Sequence, residues 1–176
     1  IRDLYETALS SAPSPSKEAK TLMLMYAQVE EQLNHPVRAL DICKLLLSKC
    51  PTEDIPDMIR LYVSKSCQLF GLGYCRPVLE QALSEASLSD DDFVEFAWTF
   101  AAMEEMLGEM DRARALYKHG SQAADPKRGA NDPSHVITGF WAAWKQFELA
   151  HGSEDTFRDM LRIQRTVQTY FSKTYM

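Results

Sequence analysis

Several side chains in this 176-residue sequence are of types that can do chemistry, and each has a structural alternative. Trp141, Trp144 and Phe147 could form a platform on which bases stack. Their i, i+3, i+6 spacing instead puts them on one inward helical stripe, so we read them as core. Arg158, Arg162 and Arg165 form an i, i+4, i+7 row that could hold phosphate or an acidic partner; a solvated face is the plainer reading. Asp90, Asp91, Asp92 and Glu95 could bind a cation, but helix N-termini attract carboxylates without any ligand. Glu104 with Arg114 and Glu148 with Arg158 resemble acid-base pairs. They recur, whereas catalysis needs a single site, so a structural pair within each hairpin is expected. The four histidines, His35, His119, His135 and His151, are dispersed, and HExxH, GxSxG, phosphate-loop and paired CxxC patterns are absent. Cys43, Cys50, Cys67 and Cys75 fit neither a zinc knuckle nor a disulfide-dense secreted scaffold. Reduced, core-packed thiols and an intracellular compartment are expected. No catalytic residue, cofactor or metal is implied.

The elements that must position these residues follow from a repeat. Aligned on Tyr5, Cys43, Leu79, Tyr117 and Leu161, one pattern recurs at spacings of 38, 36, 38 and 44 residues. Periods of this length belong to stacked helical hairpins. Leu4, Ile42, Val78, Leu116 and Met160 precede the register positions. Three positions before the register stand Arg2, Leu40, Arg76, Arg114 and Arg158; three after it come Ala8, Leu46, Ala82, Gly120 and Gln164, mostly small where helices must approach. Units of this kind build surfaces rather than pockets.

Breaks between helices fall at Pro13 to Ser16, at Asn34-His35-Pro36, at Cys50-Pro51-Thr52, at Gly71-Leu72-Gly73, at Gly108 and at His151-Gly152. Thr52 with Glu53 and Asp54, and Ser89 with Asp90 to Asp92, read as helix caps. The resulting organisation is a half repeat at 1–11 and helical hairpins at 16–50, 52–87, 89–124 and 135–172. Residues 125–134, with Pro126, Gly129, Asn131 and Pro133, read as an exposed loop. The chain begins at Ile1 inside a helical pattern, and we expect it to be a piece of a longer protein. The fold class is therefore all-α, a right-handed superhelical α-solenoid of antiparallel helix pairs.

Composition sets limits on function. At 45% apolar and 25% charged residues the chain should fold rather than remain disordered. No apolar run approaches the ~20 residues of a membrane span, so no membrane partner is expected. The net charge of -6 disfavours broad phosphate binding, which needs a basic face.

The last pair reads WxxWxxFE, with Trp141, Trp144, Phe147 and Glu148, then DxxR, with Asp155 and Arg158. The preceding unit gives Phe100, Met103, Glu104, Gly108, Asp111, Arg114 and Tyr117 in the same phases. The first gives Tyr26, Val29 and Glu30. Met23 and Ala97 stand at the tryptophan position, and Ser66 stands at the glutamate position of the second unit. This pattern resembles the half-a-tetratricopeptide, or HAT, repeat of RNA-processing proteins. More narrowly, "AAMEEMLGEMDRARALYKHGSQAADP" and "FWAAWKQFELAHGSEDTFRDMLRIQRTVQTYF" are similar to the C-terminal HAT repeats of the Syf-type pre-mRNA splicing factors, the class also called XPA-binding protein.

The resemblance implies a non-catalytic nuclear scaffold. Its partners would be spliceosomal proteins, including other HAT-repeat and complex subunits. Scaffolding of another RNA-processing machine, such as 3′-end cleavage or ribosome assembly, and direct RNA binding are the alternatives. Arg162 and Arg165 are the candidate partner interface. Exposed apolar ends would also allow the isolated piece to pair as a homodimer.

Overall fold

A computed structural model describes residues 2–11, 16–84 and 88–174, with the side chains of 48 and 49 excepted. Among these residues the regular structure is helical: α1 (Arg2–Ser11), α2 (Lys17–Gln32), α3 (Pro36–Lys49), α4 (Ile55–Phe70), α5 (Arg76–Ser84), α6 (Asp90–Met106), α7 (Met110–Gly120), α8 (Val136–His151) and α9 (Glu154–Thr174). The prolines expected to end the first helix, Pro13 and Pro15, and the end expected for the second hairpin, at 85–87, lie outside the described residues. Residues 1–80 and 81–176 form two compact units, each with its own core.

In the first unit, Ser16 opens α2 by accepting the Ala19 N–H at 3.1 Å. Its end is closed by Asn34, whose φ of 61° allows the His35 N–H to reach back to the Glu30 carbonyl at 2.8 Å. Pro36, whose missing N–H costs nothing in the first turn, then starts α3. Tyr5 of α1 stacks on Tyr26 of α2 at 5.0 Å, and Met23, Tyr26 and Ala27 cluster with Ile42, Cys43, Leu46 and Met58. The cap expected from Thr52 is replaced: Thr52–Asp54 forms a 3-10 turn, no side chain caps α4, and Pro56 sits in its first turn. Likewise Leu72–Cys75 is a 3-10 turn, so the break read at Gly71-Leu72-Gly73 extends to Cys75 and α5 begins at Arg76.

The second unit repeats the first hairpin's turn. Gly108, at φ 83°, takes the place of Asn34, and the Glu109 N–H reaches the Glu104 carbonyl at 2.9 Å. Ser89 caps α6 through the Asp92 N–H at 3.1 Å. The small residue at the close-approach phase matters here. A Cβ on Gly120 of α7 would lie 2.8 Å from the Ala97 Cβ of α6, and one on Gly139 of α8 would lie 2.8 Å from the Trp98 ring.

The segment read as an exposed loop is only partly one. Ala130 to Ser134 is exposed, but Asp125 is buried and accepts the Lys127 N–H at 3.0 Å. Arg128 pairs with Asp91 at 2.9 Å and Asp90 at 3.3 Å, and the Thr138 hydroxyl donates to the Gly129 carbonyl at 2.9 Å. Pro126, Gly129 and Pro133 punctuate a run of turns tied to α6 through Arg128 and to α8 through the Gly129 carbonyl.

Candidate functional site

The chemically capable residues converge on the joints between hairpins. Glu148, near the end of α8, is buried among Trp144, Phe147 and α9. Its carboxylate accepts Arg114 Nε at 2.9 Å and Nη2 at 3.3 Å, and the Trp144 indole N–H at 3.2 Å. Thr156 adds a further hydrogen bond. Arg114 stands on α7, in the preceding hairpin, 5.4 Å from the Phe147 ring centre. Burial pushes the Glu148 carboxyl up, but the hydrogen bonds and the charge of Arg114 outweigh it, so the group is held below its ordinary value.

The same joint occurs in the first unit. Glu30 of α2 is fully buried and takes a bidentate grip from Arg2 of α1, Nε to Oε1 at 2.7 Å and Nη2 to Oε2 at 2.9 Å. These bonds hold its carboxyl low. In both cases the arginine belongs to the hairpin before the glutamate. The pairings expected within one hairpin, Glu104 with Arg114 and Glu148 with Arg158, are therefore replaced: Arg114 reaches forward to Glu148 of the next hairpin. Arg158 instead bonds Glu154 and Asp155 of its own helix. Glu104, buried in the third hairpin, has Arg112 at 3.6 Å across its own turn.

One signal for the correct pairing was present in the sequence. In the second hairpin Ser66 replaces the glutamate, and at the arginine phase of the hairpin before it stands Leu40. Both members of the pair are missing together. Leu40 and Ser66 are both buried, and the Ser66 hydroxyl has no hydrogen-bond partner.

Gly152 completes the Glu148 joint. A Cβ there would stand 2.3 Å from Glu148 Oε2 and 2.6 Å from the Glu148 carbonyl oxygen, so only glycine lets the turn wrap around the carboxylate. Asp111 and Asp155, both exposed, sit one turn before Arg114 and Arg158 and pair with them at 3.3 and 3.6 Å. Those contacts orient arginine and add little stability, because solvent screens them.

The aromatic trio faces inward. Trp144 stacks on Tyr117 at 5.8 Å and on Trp141 at 5.5 Å, Phe147 lies 5.4 Å from Tyr117, and the Trp141 N–H donates to the Ala124 carbonyl at 3.2 Å. Burial pushes the Tyr117 phenol up to about 12. Phe100 is buried in α6. None of these rings offers a free face to a base. The acidic cluster is also engaged, Asp90 and Asp91 by Arg128 and Asp92 by the Ser89 hydroxyl.

What stays on the surface is the far side of α9. Arg158, Arg162 and Arg165 are exposed, and Arg162 bonds Asp159, which also accepts Lys118 Nζ at 3.0 Å. From Met160 to Thr174 the helix carries Arg162, Arg165 and Lys173 and no carboxylate. Cys75 is buried and hydrogen-bonded toward the Val63 carbonyl at 3.5 Å, with its thiol pushed up to about 12 by burial, which leaves it a poor nucleophile.

Comparison with known proteins gives this geometry a context. The family model described as "Pre-mRNA-splicing factor Syf1/CRNKL1 C-terminal HAT repeat" matches residues 1–176. Among curated relatives, the pre-mRNA-splicing factor SYF1 of Mycosarcoma maydis is 44% identical over 97% of this chain and 15% of its own length. Those of Aspergillus fumigatus and Rattus norvegicus are 42% and 39% identical over 98% and 97% of this chain, and each is matched over 19% of its own length. The chain thus spans less than a fifth of these three relatives. With the family match running over the whole sequence, and with the HAT motif residues forming the joints of helical hairpins, the chain belongs to the Syf1/CRNKL1 C-terminal HAT-repeat family.

Proposed function

We propose that this chain is a non-catalytic docking segment of a pre-mRNA splicing scaffold, working in the nucleus by holding other spliceosomal proteins. The observation that carries this reading is where the reactive side chains are. Glu30 and Glu148 are locked to arginines of the preceding hairpin, and Trp141 and Trp144 are buried in the core. Such an arrangement uses ionisable and aromatic groups to build a surface, not to face a substrate. The relatives named as splicing factors favour splicing over 3′-end cleavage or ribosome assembly.

The test is affinity recovery of partners from nuclease-treated nuclear extract with the 176-residue chain as bait. Spliceosomal subunits recovered without RNA would support protein docking. Recovery of a different RNA-processing complex would keep the fold and overturn the assignment to splicing. Recovery only from untreated extract would overturn protein docking in favour of RNA.

A further inference from the structure

The joint between hairpins is directional, and α9 holds one half of another. In the first unit Arg2 grips a glutamate 28 residues further on, and in the second Arg114 grips one 34 residues further on. Arg158 stands at the same phase of α9, with Leu161 at the phase of Tyr117. Tyr117 is the ring that packs on Phe140, Trp144 and Phe147 of the helix that brings Glu148. The buried examples differ from Arg158 in one respect. The Arg2 and Arg114 side chains are 38% and 18% exposed and their glutamates 0% and 1%, whereas Arg158 is 69% exposed and its present partners, Glu154 and Asp155, are 83% and 93% exposed. Pairs that open to water contribute little and are readily displaced.

Around Arg158 the surface matches that role. A groove is lined by Arg158, Leu161, Arg162, Arg165, Tyr170 and Lys173, with Asp155 and Asp159 at its edge beside Arg158 and Arg162, so that apolar contact from Leu161 and the 64% exposed Tyr170 is combined with four cationic side chains against two carboxylates. In a chain of net charge -6 the lining keeps an excess of positive charge, carried by Arg165 and Lys173 beyond the pairs Arg158–Asp155 and Arg162–Asp159, and this is complementary to a carboxylate-bearing helix.

We propose that this face of α9 is the seat for an acidic amphipathic helix of a partner protein. That helix places one glutamate, flanked by apolar residues, against Arg158 in the way that α8 places Glu148 against Arg114. The inference rests on the docking role proposed above and names the chemistry of the partner. Arg162 and Arg165 add long-range attraction, and the Arg158 contact sets register, since it alone repeats a geometry found twice within the chain.

The test uses a helix-stabilised, fluorescein-labelled peptide with the sequence of residues 17–34, the chain's own example of a helix that presents a glutamate to a neighbouring arginine. Fluorescence anisotropy is followed as the 176-residue chain is added. Binding is expected. Glu30→Gln in the peptide, or Arg158→Glu in the chain, should each weaken it at least about tenfold. Glu30→Lys in the peptide should recover binding to the Arg158→Glu chain. Because Arg158 is exposed, the variant is expected to keep the circular dichroism and melting temperature of the parent. No binding, or binding indifferent to both substitutions, would overturn the proposal. Concentration-dependent dimerisation of the chain, abolished by Arg158→Glu, would overturn it in favour of a second copy. Recovery of spliceosomal subunits undiminished by Arg158→Glu would leave the docking role standing and remove this seat, whereas recovery of none by either chain would remove the docking role itself.

Discussion

At the scale of single residues, the buried glutamates are the most informative groups. A carboxylate taken out of water is costly unless paired and hydrogen-bonded, and removing one partner is worse than removing both. Arg114→Gln should therefore destabilise the chain by about 3 kcal/mol, Glu148→Gln by less, and the double variant by less than their sum. Urea unfolding of the four proteins measures the coupling; additive effects would show the pair to be incidental. The pH dependence follows with a definite sign. Both Glu30 and Glu148 titrate below the ordinary value of 4.5 in the folded chain. The stability they contribute is fully present above that value and is lost as pH falls through their lower folded values. Glu148→Gln should flatten the acid limb of a stability profile measured between neutral pH and pH 3.

At the scale of elements, the helices and most of their ends were legible in the sequence because turn chemistry is local. Asn34 and Gly108 supply the positive φ of the same closing turn, and Ser16 and Ser89 supply hydroxyl caps. The 3-10 turns at Thr52–Asp54 and Leu72–Cys75 were not legible, since a proline in the next helix's first turn is equally compatible with a longer helix. The folded start of the segment after α7 was missed because its polar composition looks like a loop, while Arg128 finds its partners, Asp90 and Asp91, only in the assembled unit. The direction of the arginine-glutamate joint was also missed. Sequence spacing places Glu148 nearer to Arg158 than to Arg114, but in helical stacks the next hairpin packs on the previous one, so the residue further away in sequence is nearer in space. The Leu40 and Ser66 pair makes this a testable grammar. Ser66→Glu alone should cost about 3 kcal/mol or more, by burying an unpaired carboxylate. Adding Leu40→Arg should return a measurable part of that loss in urea unfolding. A double variant no more stable than the sum of its parts predicts would show that the two positions do not form a joint.

At the scale of the whole molecule, family membership and the inward placement of Glu30, Glu148, Trp141 and Trp144 support the proposal that the chain contributes surface to an assembly. No helix among the described residues is long and apolar enough to cross a membrane. The family was legible because its signature residues, Trp144, Phe147, Glu148, Gly152 and Arg114, are those that make a joint. Of the proposed docking face, the row of arginines on α9 shows its charge in the sequence but reveals its phase only against the filled joints. The most direct test of docking over chemistry is splicing of a reporter transcript in nuclear extract depleted of the parent protein and refilled with parent protein carrying Arg158→Glu, Arg162→Glu and Arg165→Glu. The account predicts that splicing is not restored and that the assembled complex lacks neighbouring subunits, while the 176-residue chain with the same changes melts as before. Full restoration of splicing, or failure of splicing in a complex of unchanged composition, would contradict it.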